Sequence, residues 1–135
     1  MRYPINLEPC EGGFFVSFPD IPEALTQGDT REEALGMGID ALVTAFEFYF
    51  EEGRKIPEPG VITGDFVEVP ASVMAKVLML SAFVDSGLTQ VELAKRIGVT
   101  KQEVTRIFNL QHVTKIDTIQ KALAALGKRL ELLAS

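Results

Sequence analysis

Cysteine and histidine are almost missing from this 135-residue chain, which has one of each, Cys10 and His112. A single cysteine excludes an internal disulfide and a cysteine cage for a metal within one chain, and we interpret Cys10 as a bystander thiol. The sequence around His112 offers no cysteine or serine arranged for nucleophilic catalysis, so we interpret it as a surface or DNA-proximal residue. The sequence therefore predicts neither a metal site nor another cofactor.

Long apolar runs are also missing, because charged residues interrupt every apolar stretch within about a dozen positions. The first residues, Met1–Pro4, lack the basic start and apolar run of a secretion signal. Hydrophobic residues make up 47% and charged residues 24%, a balance that favours a folded globule over a disordered chain. We expect a cytoplasmic protein that does not enter a membrane.

Basic residues are scarce only in the first half of the chain. Residues 1–69 hold four Lys and Arg against fourteen Asp and Glu, a net charge of −10, whereas residues 70–135 hold nine against five, a net charge of +4. Such asymmetry is typical of two domains with different partners, of which the second is suited to a polyanion. We predict one domain at residues 1–69 and another at residues 70–135.

Short strands are expected at both ends of the first domain. Alternating apolar residues predict strands at residues 2–7, 13–18, 24–27 and 66–69, with Glu11-Gly12-Gly13 as the turn of a hairpin. Two prolines within residues 19–23 predict a loop there, because proline fixes the backbone and lacks an amide donor. These strands surround one long helix.

That helix is predicted to begin at Thr30 and Glu33, which have the spacing of a capping box, and to end near Glu52. Two glycines in it cost about 1 kcal/mol each relative to alanine, so we expect Gly36 and Gly38 to allow close approach to the sheet or to a partner. Apolar residues at three- and four-residue steps predict a single face across the sheet. They are Leu35, Ile39, Leu42, Phe46 and Tyr49. The first domain is therefore ββ(β)αβ.

The second domain reads as helical throughout. A first helix is marked by Val73, Val77, Leu80 and Val84 and stops at Gly87. The next two begin at residues with capping-box spacing, Thr89 with Glu92 and Thr100 with Glu103. A fourth helix ends at Gly127, and residues 130–132 form either a short strand or a frayed tail.

Residues 88–107 have the layout of a helix-turn-helix. Gly98 supplies the turn, and apolar residues face the core from the helices on either side of it. They are Leu93, Ala94, Ile97, Val99, Val104 and Ile107. The outer face of the third helix is then cationic and rich in amides, which favours contact with nucleic acid, although a helical bundle with a solvated basic face remains an alternative.

Two residues of that outer face, Gln102 and Arg106, are four apart and can reach successive base edges in a major groove. Residues at the helix starts, together with Lys95, are expected to hold phosphates. The residues predicted to bind DNA are Thr89, Gln90, Thr100, Lys101, Gln102, Thr105, Arg106 and Asn109. Specific repression needs two such modules, so we expect a homo-oligomer, either a dimer or a tetramer.

Two resemblances extend this interpretation. Residues 73–127 resemble the helix-turn-helix of the Cro and cI repressors. Residues 13–22 (GFFVSFPDIP) followed by residues 28–34 (GDTREEA) resemble the signature of the HicB antitoxins, although the family often has Gly-Cys where this chain has Glu23-Ala24. The resemblance implies a partial ribonuclease-H-like first domain that masks HicA, a small mRNA-cleaving toxin, and a second domain that represses the operon.

The charge of the first domain agrees with that implication, because an RNA-cleaving partner needs a basic surface that an acidic domain can cover. The alternative is that these acidic residues only solvate the surface. Within and beside the matched blocks, the residues expected to contact the toxin are Asp20, Glu23, Asp29 and Glu32.

Two other functions fit the sequence less well. Catalysis by a ribonuclease-H-like site is not expected, because the first strand offers Asn6 and only Glu8 where a two-metal site needs several carboxylates. A stand-alone repressor with a ligand-sensing first domain stays open. Its pocket would use aromatic residues that equally suit a core, namely Phe14, Phe15, Phe18, Phe46, Phe48, Tyr49 and Phe50.

Overall fold

The computed structural model describes every residue from Met1 to Ser135. The chain forms two compact units, Met1–Ala71 and Ser72–Ser135, which we call the N-terminal and C-terminal units. The N-terminal unit combines antiparallel strands with one helix, and the C-terminal unit is helical. The predicted α+β class is therefore confirmed.

Five strands make two small antiparallel sheets in the N-terminal unit. The strands are β1 (Arg2–Pro4), β2 (Asn6–Cys10), β3 (Gly13–Ser17), β4 (Leu25–Gly28) and β5 (Phe66–Glu68). One sheet pairs β1 with β5, and the other has the order β2-β3-β4. The loop at residues 19–23 and the strand after it lie where the sequence predicts them.

The first predicted strand is in fact two strands that change partners at Ile5. Before it, Tyr3 pairs with Val67, and after it, Asn6 pairs with Ser17. The amide of Ile5 itself donates to the carbonyl of Asp65 at 3.0 Å. Alternating apolar residues report an extended backbone but do not report its partner, so the sequence pattern could not reveal this division.

The hairpin turn between β2 and β3 is confirmed, with Cys10 opposite Gly13 at its base. Gly12 adopts a φ of 84°, a left-handed angle that favours glycine. At Gly13 a Cβ atom would lie 2.1 Å from the carbonyl oxygen of Gly28. The sheet therefore requires a residue without a side chain where β3 meets the end of β4.

Helix α1 (Arg31–Glu51) begins as predicted, with the Thr30 hydroxyl accepting from the amide of Glu33 at 3.1 Å. The predicted stripe is confirmed at Leu42, Phe46 and Tyr49, whereas Leu35 and Ile39 are only half-buried and small residues take their place in the first turns. The buried residues are Ala34, Gly38, Leu42, Val43, Ala45, Phe46 and Tyr49. A pattern of large apolar residues misses small ones that bring a helix close to a sheet.

The two helical glycines differ in their surroundings. A Cβ on Gly38 would lie 2.9 Å from the Ile5 side chain, so close approach to the sheet is confirmed there. A Cβ on Gly36 would meet no neighbouring atom within 4 Å. The predicted close approach to the sheet is therefore wrong for Gly36, which lies on the exposed side of α1.

The C-terminal unit has four helices, α2 (Ala71–Ser86), α3 (Gln90–Ile97), α4 (Lys101–Phe108) and α5 (Ile116–Ala125). Residues after Gly127 form no strand, and Leu132 and Leu133 are 82% and 94% exposed. No single helix has the length and apolarity of a membrane span; α2 and α3 reach that composition only together, across a 113° bend.

Candidate DNA-binding and partner-binding surfaces

The turn between α3 and α4 is built by its local sequence. A complete capping box starts α3, in which Thr89 Oγ1 accepts from the Glu92 amide at 3.1 Å and the Glu92 carboxylate accepts from the Thr89 amide at 3.2 Å. Gly98 ends the helix with φ 73° and ψ 35°. Thr100 then caps α4, its hydroxyl accepting from the amide of Glu103 at 3.1 Å.

Five of the six residues predicted to face the core of this helix-turn-helix are buried, and the sixth, Val99, is half-buried. Leu93 and Val104 are fully enclosed, and the Val99 amide donates to the Ala94 carbonyl at 3.0 Å, which fixes the turn. Ala94, Ile97 and Ile107 are buried with them. Because these residues hold one side of α4 against the core, its opposite side is presented to solvent.

All eight residues predicted to bind DNA lie at the surface of the C-terminal unit. Gln90 is half-buried, and the other seven are exposed. The exposed residues are Thr89, Thr100, Lys101, Gln102, Thr105, Arg106 and Asn109. Lys95 is exposed as well. The C-terminal unit therefore presents a continuous polar and cationic face along α4 and the start of α3.

Thr105 connects the start of α3 to α4. Its hydroxyl lies 3.3 Å from Gln90 Oε1 and 3.1 Å from the carbonyl oxygen of Lys101. A hydroxyl has one hydrogen to donate, so it serves one acceptor at a time. The contact with Gln90 fixes the spacing between a residue suited to phosphate and a residue suited to a base.

Arg106 has an acidic neighbour on its own helix. Its Nη1 lies 3.4 Å from Glu103 Oε2, and both side chains are largely exposed. An exposed pair of this kind contributes little to stability, roughly 0 to 1 kcal/mol. It does place an anion beside the residue predicted to contact a base, and this anion would have to separate from Arg106 for the guanidinium to bind a guanine.

Asn109 lies at the C-cap of α4 rather than within its outer face. The Asn109 side-chain oxygen accepts from the amide of Gln111 at 2.9 Å. Its carbonyl oxygen accepts from Lys76 at 2.8 Å. The side-chain NH₂ group of Asn109 takes part in neither contact and can donate to nucleic acid.

Lys76 is the residue that sequence reasoning missed. It lies on α2 and is 2% exposed, and its ammonium donates to the carbonyls of Asn109 and His112. Burial lowers the pKa of Lys76 below its ordinary value, because desolvation disfavours the charged form. The available signal was one lysine inside an otherwise apolar helix, where a charged residue normally marks the solvent side.

The four acidic residues predicted to contact a partner have different surroundings in the N-terminal unit. Asp20 accepts from the amide of Gly60 at 3.0 Å. Glu23 accepts from the Tyr49 hydroxyl at 2.7 Å. Asp29 and Glu32 are exposed beside the N-terminal end of α1. The first two carboxylates therefore also hold loops of their own unit in place.

The contact between Glu23 and Tyr49 also changes how both groups titrate. The donated hydrogen bond lowers the pKa of Glu23. Burial, followed by the neighbouring Glu23 carboxylate, raises the pKa of Tyr49. Arg54 covers the Tyr49 ring at 4.2 Å and lies 3.4 Å from Glu23. This cluster joins the end of α1 to the loop before β4.

Two open grooves lie on the N-terminal unit. The first, of about 250 Å³, runs between β4 and α1 and is lined by apolar residues with Glu23 and Asp40. The second, of about 670 Å³, is more polar and is lined by β2, by Asp20 and by residues 60–65. In neither unit do three or more His, Cys, Asp or Glu residues come together as a metal site.

Comparisons with known proteins agree for both units. The family described as "HicB_like antitoxin of bacterial toxin-antitoxin system" matches residues 2–78, and the family described as "Helix-turn-helix" matches residues 82–133. Neither description names an enzyme.

Three relatives carry the same family name. Antitoxin HicB 1 of Photorhabdus laumondii is 69% identical over 133 residues, covering 98% of this chain and 86% of the relative. Antitoxin HicB of Escherichia coli K12 is 58% identical and covers 98% of both chains. Antitoxin HicB of Pseudomonas fluorescens is 37% identical, covering 97% of this chain and 92% of the relative. This chain therefore belongs to the HicB family of antitoxins and carries a helix-turn-helix.

Proposed function

We propose that this protein neutralises a HicA-type mRNA-cleaving toxin through residues 1–69 and represses its own operon through residues 70–135. The observation that carries the proposal is the separation of charge between the two units. One unit with a net charge of −10 suits a basic protein, and the other presents the polar and cationic face of α4. Such a protein acts in the cytoplasm, where both the operon and the mRNA are found.

For DNA binding, α4 enters the major groove with its outer face toward the bases. Gln102 pairs with an adenine edge and Arg106 with a guanine edge, and each bidentate contact discriminates by roughly 1 to 3 kcal/mol. Thr105 and the Asn109 amide extend this face. The phosphates are held by Thr89, Gln90, Thr100, Lys101 and Lys95, which set the register without reading sequence.

Repression further requires two helix-turn-helix modules on one operator. A single module makes few base contacts, and two half-sites one helical turn apart, roughly 34 Å, restore specificity. We therefore propose a homo-oligomer, either a dimer or a tetramer, as the repressing species.

For toxin binding, the acidic surface of the N-terminal unit covers the basic surface with which a ribonuclease holds RNA. Opposite charges accelerate association and suppress wrong partners, and this steering weakens with added salt. Glu23, Asp29 and Glu32 are the exposed members of the predicted contact set, and Asp20 is half-buried. Asp20 and Glu23 would take part while keeping their intramolecular hydrogen bonds.

The alternative, a repressor that senses a small ligand, receives less support. Its aromatic set is divided, since Phe18, Phe46 and Tyr49 belong to the buried core whereas Phe48 is 54% exposed. An enclosed ligand site needs such residues to converge on one cavity, and the grooves of this unit are open at the surface.

The test is co-purification of the untagged chain with the tagged product of the neighbouring gene, followed by RNA cleavage with and without the chain. A tight complex that stops cleavage supports the antitoxin role. Absence of a complex, with binding to upstream DNA intact, would leave a repressor only and favour the ligand-sensing alternative.

A further inference from the structure

The groove between β4 and α1 exposes an unusual share of large apolar side chains. Leu25, Met37 and Phe48 line it and are 56%, 41% and 54% exposed. Ala41 and Ala45 form its floor. Single exposed apolar residues are common on protein surfaces, but three that line one groove create an apolar patch, and such patches mark binding surfaces.

A row of carboxylates runs beside this groove on the same helix. Glu33, Asp40, Glu47 and Glu51 are spaced by seven, seven and four residues. Because seven residues complete nearly two turns of an α-helix, their side chains leave α1 on one side. Asp40 lines the groove directly, and Glu23 closes it at the end of the preceding loop.

This arrangement has the anatomy of a protein interface. Aromatic residues and methionine are enriched at the centre of interfaces, and charged residues form the rim. Here Phe48 and Met37 stand at the centre and the carboxylate row forms one border. A partner that fits this groove presents apolar side chains flanked by lysine or arginine.

The charge decides between a foreign partner and a second copy of this chain. Two N-terminal units, each with a net charge of −10, would repel one another across this groove, and like charges facing each other cost affinity. A basic RNA-binding protein is instead attracted to it. We propose that the groove lined by Leu25, Met37 and Phe48 is the surface on which the toxin docks, an inference that rests on the proposed antitoxin function.

This assignment differs from the sequence-based expectation for toxin contacts. Of the four acidic residues expected there, Glu23 lines the groove, whereas Asp20 lines the second, more polar groove together with Val61. The two grooves can therefore be tested against each other on the same unit, because each has an exposed apolar residue to replace.

The first experiment compares Phe48→Ser with Val61→Ser in the full chain. The probe is the purified product of the neighbouring gene in a cleavage-deficient form, with affinity measured by calorimetry. Loss of a central aromatic residue should weaken the complex by at least about 30-fold, as for other interface hot spots. Val61, which is 86% exposed in the other groove, should tolerate the change, and both variants should keep wild-type melting and DNA binding.

The second experiment reverses charge at Asp40→Lys and, as its control, at Glu11→Lys in the hairpin turn. Both substitutions change the net charge of the unit equally, so a general effect of charge would affect both alike. We expect Asp40→Lys to slow association about tenfold at low ionic strength, with the difference from Glu11→Lys disappearing at high salt.

The outcomes separate this inference from the function on which it rests. If the wild-type chain binds the probe and Phe48→Ser binds equally well, the groove is not the docking surface although the antitoxin role stands. If Phe48→Ser changes the mass of the free chain in light scattering while toxin binding is unchanged, the groove joins two copies and the inference is wrong. If the wild-type chain does not bind, the antitoxin function and the inference fail together.

Discussion

The ammonium of Lys76 donates to the main-chain oxygen of Asn109 at 2.8 Å, and so a buried cation on α2 holds the C-terminal end of α4. The same ammonium reaches the carbonyl of His112, three residues farther along. Positive charge at the C-terminal end of a helix is favourable, because carbonyl groups there lack partners within the helix. Lys76 thereby fixes where α4 ends.

Replacement of this lysine tests that role. Lys76→Met retains the length of the side chain but removes the ammonium from both carbonyls. The Asn109 carbonyl still accepts from the His112 amide at 3.0 Å, whereas the His112 carbonyl loses its donor, and one buried unsatisfied group costs roughly 1 to 3 kcal/mol, partly offset because a buried charge is removed. We expect a lower melting temperature for the C-terminal unit and weaker operator binding. Toxin binding should be unchanged; a variant with normal operator affinity would show that Lys76 does not position α4.

Lys76 also predicts how the C-terminal unit responds to alkali. Its folded-state pKa is lowered, so above that pKa the unfolded state binds more protons, and stability rises with pH until the unfolded lysine also titrates. Denaturant unfolding of wild type and Lys76→Met, followed by NMR signals of the C-terminal unit, should show this rise only in the wild type.

The N-terminal unit should respond in the opposite direction, through Tyr3. Burial, followed by the charges of Asp20 and Glu58, raises the pKa of Tyr3 to about 12, so the stability that the protonated phenol contributes is complete below pH 10 and is lost as the pH rises toward 12. The loss is about 1.4 kcal/mol for each pH unit in which only the unfolded state ionises. Tyr3→Phe should flatten this dependence, although it also removes the hydrogen bond to Pro57. An unchanged alkaline transition in the variant would assign it to another group.

Base reading and phosphate binding are separable on α4. Arg106→Ala should relax preference at one position of each half-site, whereas Lys101→Ala should weaken all sequences alike and reduce the salt slope by about one. Lys121→Ala, on α5, is the matched control and should leave both properties unchanged. Operator titrations at several salt concentrations distinguish these effects, and identical behaviour of all three variants would mean that α4 is not the reading helix.

Two glycines should respond to alanine with opposite signs. Gly98→Ala places a side chain at a φ of 73°, which should destabilise the C-terminal unit by about 1 kcal/mol. Gly36→Ala lies in open space on α1, so it should stabilise the N-terminal unit by a similar amount, about 1 kcal/mol. Thermal melts decide both signs. A stabilised Gly36→Ala chain with weaker toxin binding would show that a partner approaches that glycine.

The C-terminal unit was predicted more completely than the N-terminal unit, for a physical reason. Its structure depends on local signals such as the Thr89 capping box and the Gly98 turn, which a few consecutive residues specify. In the N-terminal unit the decisive features join distant residues. The change of partners at Ile5 and the close packing of Gly38 depend on which strand lies alongside, and apolar spacing does not encode this.

Surface features that depend on residues distant in sequence were also missed by the sequence-based prediction. Exposure of the eight residues predicted to bind DNA followed from the burial of their neighbours on α3 and α4. The burial of Lys76 did not, because its acceptors are carbonyls more than 30 residues away. The groove beside Phe48 could not be predicted from the sequence either, since an aromatic residue on an amphipathic helix is normally assigned to the core.

Pairing of β1 with β5 determines how early the N-terminal unit can fold during synthesis. The carbonyl of Met1 accepts from the amide of Val69, so the residue before β1 is held by one of the last residues of the N-terminal unit. The N-terminal unit therefore cannot close until residue 69 has left the ribosome. At that moment no part of α3, α4 or α5 is required. The N-terminal unit can thus complete its fold before the helix-turn-helix has formed.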